Sequence, residues 1–156
     1  MLGLPELDTW VGAERERSAV GEPGTLDDPN TGQPLQDLRS SSPDQVERAI
    51  ASASRAHELG LWSGLGLAGR AQKLRALADA VDAVAERIAV LDSLNSGVPI
   101  SRTRLFAGGL GDTVRQAVAL AEEAGEDRAL PADPGPVRLR RVPWGPTALI
   151  LMPSPA

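Results

Sequence analysis

A chain of 156 residues suits one domain, long enough to bury roughly 68–70% of its unfolded surface. Its 42% hydrophobic and 24% charged residues are those of an ordinary globular protein. A net charge of −5 excludes a nucleic-acid partner as the first reading, because phosphate contacts need clustered positive charge. The basic residues are arginines apart from Lys73, a bias read as coding composition. With no cysteine, the chain has no disulfide and no thiol chemistry of its own. No apolar run is long enough for a membrane span, and Met1-Leu2-Gly3-Leu4-Pro5-Glu6 lacks a signal-peptide layout. A cytoplasmic location is the expectation.

The first forty residues are rich in turns. Trp10-Val11-Gly12 and Arg15–Val20 read as two short strands around a Gly-Ala-Glu turn. Gly21-Glu22-Pro23-Gly24 and Asp28-Pro29-Asn30-Thr31-Gly32 are turn signals, and Pro34–Leu38 reads as a third strand. Ser42-Pro43-Asp44-Gln45 then starts a helix, with an N-cap hydroxyl, Pro at the first helical position and Gln three residues after the cap. Val46, Ala49, Ile50, Ala53 and Ala56 share one face of it, and Gly60 ends it.

Leu61–Gly66 reads as a connector anchored by Trp62. A second helix is expected through Leu74, Leu77, Val81, Val84, Ile88, Leu91 and Leu94, which step by three and four. Such a stripe also fits a coiled-coil seam; a single helix packed on its neighbours is the plainer reading. Asn95-Ser96-Gly97 supplies its stop. A third helix is expected through Leu110, Val114, Ala117, Val118 and Ala121, frayed or kinked where Gly108, Gly109 and Gly111 fall. Gly125 ends it, and Pro131–Pro136 reads as a rigid linker. Val137–Val142 alternates charged and apolar side chains as an edge strand does. Finally, Thr147-Ala148-Leu149-Ile150-Leu151-Met152, after Gly145-Pro146, reads as a buried strand of the parallel α/β kind. A parallel strand needs a crossover and a partner, so the expectation is a protein whose chemical half is missing from these residues.

Local runs point to a family. Asp28-Pro29-Asn30-Thr31-Gly32 resembles the Asn-Pro-Ala-Thr-Gly turn of the aldehyde dehydrogenase superfamily. Ser41–Ile50 is similar to the start of that family's first helix, and Trp62, Arg70 and Leu74 to the spacing that enters its second. Leu91–Ile100 resembles its Leu-Glu-Thr-Leu-Asp-Thr-Gly-Lys-Pro run. Leu130-Pro131, followed by Arg141-Val142-Pro143-Trp144-Gly145, resembles its entry into the cofactor domain. The five runs occur in family order and cover about the first third of a usual member.

The resemblance implies NAD(P)-dependent oxidation of aldehydes to carboxylic acids. It implies a Cys nucleophile, an oxyanion site made by an Asn amide and a backbone N–H, and a Glu base. It also implies an α/β chain: short strands in an arm over 1–40, a three-helix layer over 41–128, then a linker, the edge strand and the first strand of a Rossmann-like domain over 129–156. The one family site in this span follows that last strand. There Ser154 falls at the oxyanion-Asn position, and Leu151, Met152, Pro153 and Ser154 would line a cofactor pocket only in a completed fold. The Cys, the Glu and the cofactor loop are absent, so the chain alone is expected to catalyse nothing and to bind neither NAD nor NADP. A truncated product, a split subunit or a pseudoenzyme all fit. The alternative is a non-catalytic interaction or regulatory subunit that docks on a complete dehydrogenase. Strand 137–142 would then take a protein partner or a second copy by strand addition.

Other candidates have plainer readings. His57, the only imidazole, sits near the end of the first helix, where a cation suits the helix dipole. Glu122-Glu123 and Glu126-Asp127 read as a solvated helix end, not a metal site. Arg138, Arg140 and Arg141 read as guards of an edge strand. Gly108-Gly109-Leu110-Gly111 lacks the context of a phosphate loop. Ser40-Ser41-Ser42 has no base placed beside it, and capping accounts for Ser42.

Overall fold

In a computed structural model, residues 5–6, 8–18, 24–125 and 127–150 are described. Two antiparallel hairpins open the chain: β1 (Asp8–Val11) with β2 (Glu14–Arg17), and β3 (Gly24–Asp27) with β4 (Pro34–Leu38). Strand β3 went unread in the sequence because four residues flanked by turn signals carry no alternation to speak of. The Asp28–Gly32 run forms the β3–β4 turn. The Asp28 carboxylate accepts the Asn30 backbone N–H at 2.8 Å, and the Asp28 carbonyl accepts that of Gly32 at 2.7 Å.

The expected first helix is α1 (Pro43–Glu58). Its capping box is complete: Gln45 N–H donates to Ser42 Oγ at 3.2 Å, and Ser42 N–H donates to Gln45 Oε1 at 3.0 Å. The same Gln45 side chain is buried and also donates to the Arg17 carbonyl at 3.0 Å, so the cap residue fastens the helix to the first hairpin. Arg48 grips both carboxylate oxygens of Glu16 at 2.6 Å. The expected apolar face of α1 is only partly covered, with Ala49 and Ala56 half-buried. Val46 and Ile50 are exposed, because the helix packs mainly on β1.

The three expected helices become five. The long Leu stripe is broken at Val84, whose φ of −118° and ψ of 10° leave the helical region. The pieces are α2 (Gly66–Ala83), entered by a 3-10 turn at Ser63–Leu65, and α3 (Ala85–Ser96). Helix α4 (Ile100–Gly108) was not foreseen. Gly109 separates it from α5 (Leu110–Ala124), at the place where the glycines were expected to kink the chain. Helices α2 and α5 pack on each other, and α3 packs on α4.

The centres of these pairs are small side chains: Ala71 and Ala78 on α2, Ala89 on α3, Ala107 and Thr103 on α4, and Val118 on α5. Small residues let the helix axes approach, and Gly111 shows how closely. A Cβ placed there would stand 2.0 Å from an Asp82 carboxylate oxygen. Ion pairs flank the α2–α5 seam. Arg115 donates to Asp79 and Asp82 at 2.7 Å each, and Arg75 pairs with Glu122 at 2.5 Å.

Beyond α5, Val137–Arg140 is the expected charged strand, here β6, and it pairs antiparallel with β5 (Asp127–Leu130). The Pro131–Pro136 linker is therefore the loop of a hairpin. One expectation is corrected. The described part of the expected buried strand, 147–150, forms no strand, and Leu149 and Ile150 are 82% and 89% exposed. A strand is made by its neighbours' hydrogen bonds, and no neighbour is present among the described residues. Among those residues no helix is long and apolar enough to cross a membrane.

Candidate functional site

The residues singled out for a cofactor pocket, Leu151, Met152, Pro153 and Ser154, lie outside the described residues. The chain leading to them starts at a groove of about 740 Å³. Its floor comes from two helices at helical spacing: Leu67, Ala71 and Leu74 of α2 face Val118 and Ala121 of α5. Trp62 and Arg140–Pro143 complete the lining.

The rim is cationic. Arg141 donates to the Ala124 carbonyl at 2.9 Å and to the Gly125 carbonyl, so it caps the C-terminus of α5, where a positive charge meets the helix dipole favourably. Arg70 donates to the Ser63 carbonyl at 3.2 Å. Asp127 Oδ2 stands 4.0 Å from Arg138 Nε and 3.8 Å from Arg140 Nε. Asp127 is the one carboxylate among the described lining residues. An apolar floor under guanidinium groups can hold an apolar segment or an anion. Its described lining supplies neither imidazole nor thiol, so the Ser63 hydroxyl on it has no imidazole base among those residues.

The remaining candidates settle into structural roles. His57 lies in the exposed last turn of α1, with its ring beside Gly145. Glu122 is committed to Arg75 across the helix seam. The glycine run at 108–111 joins α4 to α5. Ser41 has a role that the sequence did not disclose. Its hydroxyl lies 2.7 Å from Thr9 Oγ1, which in turn lies 2.8 Å from Ser18 Oγ, tying the start of α1 to the first hairpin.

Electrostatic perturbations also mark structural joints. Hydrogen bonds from the Arg48 guanidinium hold the Glu16 carboxyl below its ordinary range. The Arg104 guanidinium does the same for Glu86, bridging α3 and α4, and the Asn30 backbone N–H does so for Asp28. None of these groups lines the groove.

Two of the runs that carried the family resemblance meet in space. Gly97 ends α3 in the left-handed region at φ 74°, and a Cβ there would stand 3.0 Å from Pro29 Cγ. The Asp28–Gly32 turn therefore packs against the Asn95-Ser96-Gly97 stop, and any side chain at 97 would strain both backbone and contact.

Comparison with known proteins bears directly on this architecture. Residues 17–152 match the model of the aldehyde dehydrogenase family. The chain is 36% identical over 110 residues to a geranial dehydrogenase of Castellaniella defragrans, a stretch covering 69% of this chain and 23% of that protein. It is 29% identical over 133 residues to an N-succinylglutamate 5-semialdehyde dehydrogenase of Burkholderia mallei, covering 85% of this chain and 27% of that protein. Among solved structures, a betaine aldehyde dehydrogenase of Staphylococcus aureus in complex with NAD+ superimposes with a TM-score of 0.73 at 22% identity. That match covers 83% of this chain and 25% of the other, and it shows the fold alone. PnpE in complex with nicotinamide adenine dinucleotide superimposes with a TM-score of 0.71 at 27% identity, covering 83% of this chain and 26% of the other. The chain thus spans about a quarter of the length of the curated relatives it matches.

Proposed function

The chain belongs to the aldehyde dehydrogenase family, and from that premise we propose that it serves as the amino-terminal portion of an NAD(P)-dependent oxidation of aldehydes to carboxylic acids. The observation that carries this reading is the family match over residues 17–152, with α1 through α5 and the β5–β6 hairpin in one continuous stretch. In this reading the chain contributes scaffold. The groove at the root of residues 141–150 is where the next layer of the enzyme packs, and 151–154 reach the cofactor once that layer is present. The sequence contains no cysteine, so the nucleophile must come from elsewhere, and the chain alone neither binds NAD nor oxidises aldehydes. A cytoplasmic location belongs to the same reading.

The test is a chimera. Residues 17–150 replace the matching segment of the Castellaniella geranial dehydrogenase, and NADH formation is followed with geranial. A folded chimera that makes NADH supports the scaffold role. A chimera that fails to fold beside a parent that folds overturns it. Aldehyde-dependent NADH formation by the unmodified chain alone would overturn the non-catalytic part.

A second reading rests on a different observation. All four residues of β6 are exposed, and its outer edge has no strand partner among the described residues. As a docking edge, 137–142 would join the chain to a protein partner or to a second copy.

A further inference from the structure

Helices α2 and α3 follow one another with Val84 alone between them, and α4 and α5 with Gly109 alone between them. The packing runs the other way, α2 on α5 and α3 on α4. The four helices are therefore two packed pairs, joined by two single residues. Both joints have the same geometry. Val84 stands at φ −118°, ψ 10° and Gly109 at φ −96°, ψ −5°, each near the sparsely populated bridge region. Each N–H also bonds back three residues instead of four, Val84 to the Val81 carbonyl and Gly109 to that of Phe106, both at 3.1 Å.

The joints lie at one level of the structure. Two residues before Val84, Asp82 takes the Arg115 ion pair at 2.7 Å and sits against Gly111, itself two residues after Gly109. Two residues after Val84, Glu86 pairs with Arg104 of α4 at 2.6 Å. One charged contact thus braces each helix pair, on either side of the joints. On the α4–α5 leg Gly108 precedes Gly109, and glycine weakens a helix by about 1 kcal/mol against Ala. The Thr113 hydroxyl donates to the Gly109 carbonyl at 2.9 Å, a back-bond that bends helices. The far end of the α3–α4 pair, at Gly97, is seated on Pro29 of the β3–β4 turn.

We infer that Val84 and Gly109 form one paired hinge, about which the α3–α4 hairpin swings as a unit against the α2–α5 pair and carries the β3–β4 turn with it. A joint in one leg alone would be held rigid by the other leg. Two at one level let both legs turn about a common axis, with the φ/ψ changes absorbed at the ends of helices. The swing moves the turn relative to the groove floor on α2 and α5, and it repacks neither helix pair.

The sequence has no cysteine, so spin labels on introduced cysteine pairs report distances in the full chain without background sites. Lys73→Cys with Gln116→Cys lies within the α2–α5 pair, and Arg87→Cys with Ser101→Cys within the α3–α4 pair. Gln33→Cys with Ser101→Cys links the turn to the swinging pair, and Lys73→Cys with Ser101→Cys spans both joints. Double electron–electron resonance is expected to give a distance distribution about twofold broader for the spanning pair than for the other three. The combined variant Val84→Ala, Gly108→Ala and Gly109→Ala favours unbroken helix, and methyl groups at 108 and 109 meet nothing closer than 3.7 Å. It is expected to narrow the spanning distribution to the width of the others. With the joints intact, a spanning distribution no broader than those within the pairs overturns the hinge, whether or not the variant folds. Equal breadth within either pair overturns it too, because the pairs are then not units. A spanning distribution that stays broad in the folded variant places the motion elsewhere and overturns it as well. Breadth between Gln33→Cys and Ser101→Cys overturns the carriage of the turn.

Discussion

The α2–α5 seam and the segment 141–150 hold apolar residues in comparable supply and treat them in opposite ways. In the seam, Ala71, Ala78 and Val118 are shut away from water, and Gly111 brings one helix against the Asp82 side chain of the other. In the segment, Val142, Trp144, Leu149 and Ile150 all stand in solvent, Trp144 completely. Burial is a property of a pair of surfaces. Helices α2 and α5 each present a stripe at helical spacing, so each covers the centre of the other, while Leu77 and Leu110 stay exposed. An isolated strand can complete itself neither at its edges nor on its faces, and apolar content alone buries nothing.

Three substitutions sharpen or break that contrast. The largest effect belongs to Ala78→Asp, which puts a charge at a fully buried position in the seam with no partner built for it. It is expected to cost about 3 kcal/mol or more in urea unfolding, or to abolish the cooperative transition. A loss within experimental scatter would mean that the seam is open in solution. Gly111→Ala comes next. Its methyl group must push Asp82 aside and loosen the Arg115 ion pair, an overpacking cost of about 1–3 kcal/mol by the same measurement. Smallest is Trp144→Ala, expected to change stability by less than about 0.5 kcal/mol in the same urea measurement. A large stability loss there would show that the segment packs after all, and the contrast would fail.

The two surfaces proposed for docking differ in the same way. The groove between α2 and α5 is apolar beneath, so it asks for shape and surface. The β6 edge is backbone flanked by guanidinium groups, so it asks for hydrogen bonds and negative charge. The chimera addresses the first surface.

Local chemistry was legible wherever a few adjacent residues settle the outcome. Ser42, Pro43 and Gln45 specify a helix start through cap geometry alone, and the structure completes that box. The Asp28–Gly32 turn and the Gly97 stop follow from side-chain acceptors and positive φ in the same way. The glycines at 108–111 announced a break that falls at Gly109. The five family-like runs also read correctly, because each is a short local signature, and their order led to the family that the match over 17–152 establishes.

What lay beyond the sequence depends on distant partners. Nothing local says that Val84 leaves the helical region, since its stripe continues unbroken on either side. Nothing in Asp127-Arg128-Ala129-Leu130 marks a strand until β6 folds back across Pro131–Pro136 to pair with it. The sequence presented Val46 and Ile50 as core and Gln45 as a cap. The tertiary structure left the first two in water and buried the third, because the first hairpin packs where Gln45 points. The sequence by itself determined the caps, turns, helical stripes and family of this protein, because each is set by neighbours within a few residues. Only the tertiary structure decided which of those stripes found a partner, because covering a surface takes a second surface brought from elsewhere in the chain.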